Sequence, residues 1–132
     1  MPIITNFTLP PSQDALTLPP DSNSAFFIAF LASRDPSTGQ PWCPDVRASL
    51  PHLTAAFSGD TAPQVAFVDV GQRDEWKNPS NIYRTDWKVS GVPTLVRYER
   101  VDGRVKDVGR ISEVEILDKK QFSTFIKSQA SL

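Results

Sequence analysis

Apolar positions along the chain fall into short blocks separated by polar and proline-rich stretches. The densest block is Ala25-Phe26-Phe27-Ile28-Ala29-Phe30-Leu31-Ala32. Neither of its alternating faces carries a polar residue, which is how a strand buried on both sides reads. Val65-Ala66-Phe67-Val68-Asp69-Val70 has nearly the same pattern and predicts a second buried strand. The segments 94–101 and 104–108 flank Asp102-Gly103, a strong hairpin signal. Ile3 to Phe7 suits a short edge strand.

Helical signals lie between these blocks. Residues 8–24 are proline-rich, with Thr-Leu-Pro-Pro at 8–11 and again at 17–20. Between the two copies, Ser12 to Leu16 has room for a turn or two of helix, because Pro11 and Pro19 bracket it. Ser33 to Pro41 is a polar loop. A helix is predicted from Cys43 toward Phe57, with Pro44 in the first turn, Asp45 at the positive end of the dipole and Gly59 beyond the end. Pro51 lies inside it and predicts a kink. Residues 73–88 read as helix and loop interrupted at Pro79. Asp118 reads as the N-cap of a last helix, with Gln121 three residues on, a Leu117–Phe122 staple and a stripe of Phe122, Phe125 and Ile126. The order β-α-β-α-β-α-β-β-α predicts an α/β architecture on a mixed sheet.

Composition narrows the function. The 132 residues suit a single domain, 1–132, with one apolar core. A net charge of −1 offers no electrostatic footprint for nucleic acid or an anionic membrane. The longest apolar run, Ala25 to Ala32, is too short to span a bilayer as a helix. The first basic residue is Arg34, so neither a secretory signal nor a mitochondrial presequence is expected. Asn6-Phe7-Thr8 matches the glycosylation pattern, which means nothing outside the secretory pathway. One Cys and one His leave no internal disulfide and no expected zinc site, and a lone Cys suits a reducing compartment. A cytoplasmic protein without metal or cofactor is expected.

The chemistry concentrates at Trp42-Cys43-Pro44-Asp45-Val46. A Cys at the start of a helix faces unpaired backbone N–H groups and the positive end of the dipole, and both favour the nucleophilic thiolate. The competing reading is a small buried apolar residue. The preceding loop argues for the reactive one.

With Trp-Cys-Pro-Asp-Val in place, the chain resembles the thioredoxin-related proteins, small cytosolic members of the thioredoxin superfamily with a Trp-Cys-Pro-Asp-Cys motif. The resemblance covers roughly residues 24–128. Phe27 to Asp35 is similar to the family's central strand and insertion, and Val70 to Pro79 to its segment after the next strand. Val89-Ser90-Gly91-Val92-Pro93-Thr94 resembles the cis-proline loop, and Pro51 stands where thioredoxins carry a kinking proline. The resemblance implies the thioredoxin fold, a mixed sheet with helices on both faces. It implies Cys43 as the attacking thiol, a cis Pro93, and Val92 offering backbone hydrogen bonds to an extended substrate. It also implies small disulfides such as cystine as substrates and thioredoxin reductase as a source of electrons.

One position departs from the family. The resolving Cys, three residues after the first, is Val46 here. A dithiol reductase uses that second thiol to break the mixed disulfide and release product. Valine cannot, so release needs an outside thiol such as glutathione. Residues 25–32 also lack the buried Asp that thioredoxins proper use as proton acceptor for the resolving Cys. Asp45 is placed to relay a proton, yet its charge opposes the helix dipole.

Other residues read as structure. His52 lies too far along the helix to serve Cys43 as a base, and Asp69 reads as a strand end. Trp76 and Trp87 suit either packing of the inserted segment or the lining of a substrate groove. Arg97, Glu99, Arg100, Asp102, Arg104 and Lys106 read as a solvated hairpin face, and Lys119-Lys120 as helix surface. Three functions compete: a monothiol oxidoreductase, a redox-inactive binding module with a peptide groove at Pro93, and a thiol sensor that forms a Cys43-linked dimer.

Overall fold

The computed structural model describes residues 3–11, 13–16, 25–59 and 62–127. The second Thr-Leu-Pro-Pro copy lies outside these residues. Five strands form one mixed sheet: β1 (Ile3–Ile4), β2 (Phe26–Leu31), β3 (Gln64–Asp69), β4 (Thr94–Val101) and β5 (Arg104–Ser112). Their order is β1-β3-β2-β4-β5, with β1, β3 and β2 parallel and β2-β4-β5 antiparallel.

β2 occupies the middle, and all six of its residues are buried. Phe26, Ile28 and Phe30 join one core cluster with Ala66, Val68, Trp76, Trp87 and Tyr98. Phe27, Ala29 and Leu31 join the other, beneath the helix α1 (Pro44–Phe57). A strand with period-two side chains and apolar residues on both faces must be covered twice. The second cover includes α4 (Glu113–Leu117) through Ile116 and α5 (Lys119–Lys127) through Phe122. The α/β class and the two-faced packing expected from the sequence are what the chain adopts.

Boundaries differ at several points. The first strand is only Ile3–Ile4, since Thr5 and Asn6 turn away exposed. The proline-bracketed segment makes one 3₁₀ turn, Gln13–Ala15. Cys43 caps α1 from outside it, and the helix continues through Pro51. The irregular third region splits into α2 (Arg73–Lys77) and α3 (Ile82–Thr85), on either side of Pro79. The hairpin turn has φ of +53° at Asp102 and +79° at Gly103, as its two-residue connection requires. β5 runs four residues past Val108, because Gly109 and Arg110 keep pairing with β4. Gly109 sits close under α5: a Cβ would meet the Phe125 ring at 3.2 Å, so a larger residue would need that ring to give by a few tenths of an ångström.

Two further corrections concern charge and a missed helix. Arg97 is not on a solvated face but buried at 7% exposure. Its Nη1 donates to the Phe125 and Ile126 carbonyls at 3.1 and 2.7 Å, and its Nε pairs with Glu99 at 2.6 Å. The guanidinium therefore satisfies carbonyls near the end of α5 that have no partner within the helix. α4 is held by a capping box between Ser112 and Glu115, and Asp118 then caps α5 by accepting from the Lys120 and Gln121 N–H groups.

Arg97→Ala should cost about 2–3 kcal/mol, since it orphans two carbonyls and the Glu99 charge. Urea unfolding with an unchanged slope checks this, and a loss indistinguishable from zero would mean water replaces the guanidinium.

Candidate functional site

The loop 33–42 leaves the end of β2 and returns to the start of α1, and a set of hydrogen bonds holds both of its ends. Ser33 N donates to Gly71 O at 3.2 Å, and Gly71 N donates to Ser33 Oγ at 3.0 Å. Trp42 N donates to Ser33 O at 3.3 Å, and the Trp42 indole N–H donates to Gly71 O at 2.8 Å. Gln72 Nε2 adds a bond to Arg34 O at 2.7 Å. Gly71 is the common partner. Its φ is +108°, and a Cβ there would meet the Glu75 Cβ at 2.9 Å, so only glycine fits.

Cys43 follows directly from this clamp. It is half-buried, is a free thiol, and occupies the N-cap of α1 in extended conformation with no side-chain capping bond. Pro44 takes the first helical position, and Asp45 the first turn. The Cys43 thiol lies 3.7 Å from the Val92 carbonyl oxygen. The Val92–Pro93 peptide is cis. Thr94 Oγ1 donates to Gly91 O at 2.5 Å and closes this second loop beneath Cys43. Residues 49 positions apart in sequence thus meet at one sulfur.

Val46 is fully buried, with Trp42, Cys43 and Val92 packed on its cluster. It fills the place one turn behind the thiol with methyl groups and offers no sulfur. Glu113, at the start of α4, lies beside Asp45, and that neighbouring carboxyl pushes the Glu113 carboxyl above its ordinary range.

The remaining candidates sort clearly. Trp87 is fully buried between Phe30 and Tyr98, with ring centroids 6.1 and 6.4 Å away, so it lines no groove. Trp76 is buried as well and packs the inserted segment, with the Arg84 guanidinium 4.1 Å above its ring. His52 is exposed on α1 and borders a groove with Phe122 and Ile126. Asp69 ends β3, and burial pushes its carboxyl up against the opposing pull of Arg34.

Two arginines beside the motif escaped the sequence reading. Arg47 Nη1 donates to Pro41 O at 2.6 Å. The Arg73 guanidinium lies 5.1 Å from the Trp42 ring centre, and its Nη2 approaches Trp42 O at 3.4 Å. The only local signal was their nearness in sequence to the motif and to Gly71. Among the described residues, no group of three or more His, Cys, Asp or Glu side chains is gathered for a metal ion. No helix among them is long and apolar enough to cross a membrane.

A cysteine-bearing helix start, packed against a cis-proline loop on a β-α-β and hairpin sheet, defines a thioredoxin-fold protein. Solved structures agree on the fold. Fasciola hepatica thioredoxin aligns with a TM-score of 0.52 and 24% identity, covering 80% of this chain and 83% of that one. Plasmodium falciparum thioredoxin aligns with a TM-score of 0.52 and 15% identity, covering 80% and 74%. A family model, the thioredoxin domain of thioredoxin domain-containing protein 17-like proteins, matches residues 12–123, and the chain belongs to that family. Among its relatives, a thioredoxin domain-containing protein of Schizosaccharomyces pombe is 43% identical over 105 residues, 79% of this chain and 84% of the relative. Human thioredoxin domain-containing protein 17 is 32% identical over 84 residues, 58% of this chain and 63% of that protein. The thioredoxin-like protein Clot of Arabidopsis thaliana is 39% identical over 87 residues, 61% and 64%.

Gly71→Ala should destabilise the fold by about 1–3 kcal/mol, the range for a side chain forced into a sparsely populated backbone region. Urea unfolding measures the loss. An unchanged midpoint would mean the Ser33–Gly71–Trp42 clamp tolerates a Cβ.

Proposed function

We propose that the protein is a cytoplasmic thiol–disulfide oxidoreductase that works through one nucleophile, Cys43. The observation that carries this reading is the 3.7 Å approach of the Cys43 thiol to the Val92 carbonyl, beside the cis Pro93 peptide. A disulfide-bearing segment laid along Val92 by strand addition would present its sulfur at Cys43. Trp42, Pro44, Asp45 and Val46 complete the motif: Trp42 ties it to Gly71, Pro44 opens the helix, and Val46 closes the floor.

Cys43 attacks a substrate disulfide and forms a mixed disulfide. Buried Val46 supports the monothiol course, since no second thiol of the chain can break that bond. A thiol from solution must. Protein disulfides, cystine and glutathione adducts are the substrate class this chemistry fits. Electrons arrive from a small thiol rather than through a Cys pair reduced by thioredoxin reductase.

Reduction of a small disulfide in the presence of glutathione should be catalysed by the wild type and abolished in Cys43→Ser. Absence of turnover in the wild type would overturn the reading in favour of a binding module. A reducible dimer, lost in Cys43→Ser and formed faster than any turnover, would assign Cys43 to sensing instead.

Val46→Cys should create a second thiol one turn from Cys43 and allow an internal disulfide. Thiol counting before and after mild oxidation reads this directly. The substitution conserves volume closely and should cost under about 1.5 kcal/mol. Two thiols still titrating after oxidation would show that the turn cannot close the bridge.

A further inference from the structure

Beside the active-site motif lies a polar cleft of about 300 Å³ whose lining includes Asp35, Trp42, Arg47, Arg73 and Asp74. Its lining comes from the loop after β2, from Trp42 and the first turn of α1, and from the start of α2. The hydrogen bonds through Ser33, Gly71 and Gln72 hold these segments in place. The two guanidiniums are anchored on successive carbonyls where the chain enters the motif, Arg47 on Pro41 O and Arg73 on Trp42 O. Arg47 is also one helical turn from the nucleophile, its N–H donating to Cys43 O at 3.1 Å.

The charges are balanced. Arg47 and Arg73 line the same space as the carboxylates of Asp35 and Asp74. Asp35 accepts from Ser37 N at 2.8 Å and Ser37 Oγ at 2.6 Å. The Ser37 side-chain bond, aided by the backbone one, holds the Asp35 carboxyl below its ordinary range and keeps it ionised. Two cations with two anions suit a zwitterion with separated carboxylates better than a polyanion, because a guanidinium takes a carboxylate bidentately and a carboxylate takes an ammonium. The volume is at the small end for ligand sites, the size of a short peptide.

We propose that this cleft seats a small zwitterionic thiol of glutathione's class and brings its sulfur to Cys43. The proposal rests on the monothiol reading, which requires an outside thiol, and supplies the place where that thiol binds. The Cys43 thiolate attacks substrate RSSR, forms Cys43–S–S–R and releases RS⁻, which takes up a proton. The thiol in the cleft, as R′S⁻, attacks Cys43 Sγ and displaces the second RS⁻, leaving Cys43–S–S–R′ with R′ held between the arginines. A second R′S⁻ attacks the R′ sulfur, R′S–SR′ departs, and the bonding pair returns to Cys43 as thiolate. RSSR is thereby reduced to two RSH, and two R′SH are oxidised to one R′SSR′.

Binding is tested apart from turnover. S-methylglutathione has no reactive thiol, so its titration into the full chain, followed by NMR, reads the cleft whether or not Cys43 is catalytic. The shifts should centre on the Trp42 indole and the backbone of Arg47 and Arg73. Arg73→Gln should weaken binding about tenfold, the scale of one charged hydrogen bond, and the diethyl ester of the probe should bind correspondingly less well. In turnover, the ratio of the glutathione-supported to the 2-mercaptoethanol-supported rate should fall by a similar factor in Arg47→Gln and in Arg73→Gln. No shifts at these residues, equal binding of the ester, or an unmoved rate ratio would each overturn the proposal. So would tighter binding of a polyglutamate peptide, which would assign the cleft to an acidic protein segment. Binding of the probe without turnover would sustain the cleft and refute the catalytic reading alone.

Discussion

Everything functional in this molecule depends on how the loop after β2 is brought back to the sheet. Ten residues separate Leu31 from Trp42, and a loop left to itself would not place the next residue to within an ångström. The Gly71 carbonyl does this by accepting from both Ser33 N and the Trp42 indole. The two bonds fasten the beginning and the end of the loop to one peptide at the edge of β3. That peptide must have positive φ and no side chain, so one glycine carries the constraint. Cys43 is next in the chain and inherits the position.

From that position the rest of the site follows. α1 starts immediately after Cys43, while its other end is buried by Leu53 and Phe57 against Phe27. β4 lies next to β2, so the loop before it, with Val92 and Pro93, arrives under the same sulfur. The loop after β2, tied to the end of β3 through Gly71, therefore brings the Cys43 thiol, and the loop before β4 brings the Val92 carbonyl beside it. Val46 fills its place in this frame as a fully buried apolar side chain and brings no second thiol. Membership in the thioredoxin domain-containing protein 17-like family accounts for the frame.

Much of the fold was legible because its signals are local. Two buried strands announced themselves by apolar runs, the hairpin by Asp102-Gly103, and α1 by Pro44 after a polar loop. α4 was legible too and was passed over: Ser112 with Glu115 three residues later is a capping box. Arg97 was not. A charge between Val96 and Tyr98 looks like a solvent-facing position on a hairpin, and nothing nearby announces that α5 ends over it. Trp87 shows the same limit, since a tryptophan beside charged residues gives no sign that Phe30 and Tyr98 enclose it.

What the sequence determined by itself was the kind of chemistry available: one thiol at a helix start, no second thiol within reach, and a proline loop of the right pattern. These are facts of residue identity and of spacing within a few positions. The tertiary structure decided which distant groups stand around that thiol. It placed the Val92 carbonyl at the sulfur, made Gly71 the hub of the loop, buried Arg97 as a helix cap, and brought Arg47 and Arg73 into one cleft with Trp42. No short-range pattern encodes such meetings, because each depends on two segments of the sheet arriving at one point in space.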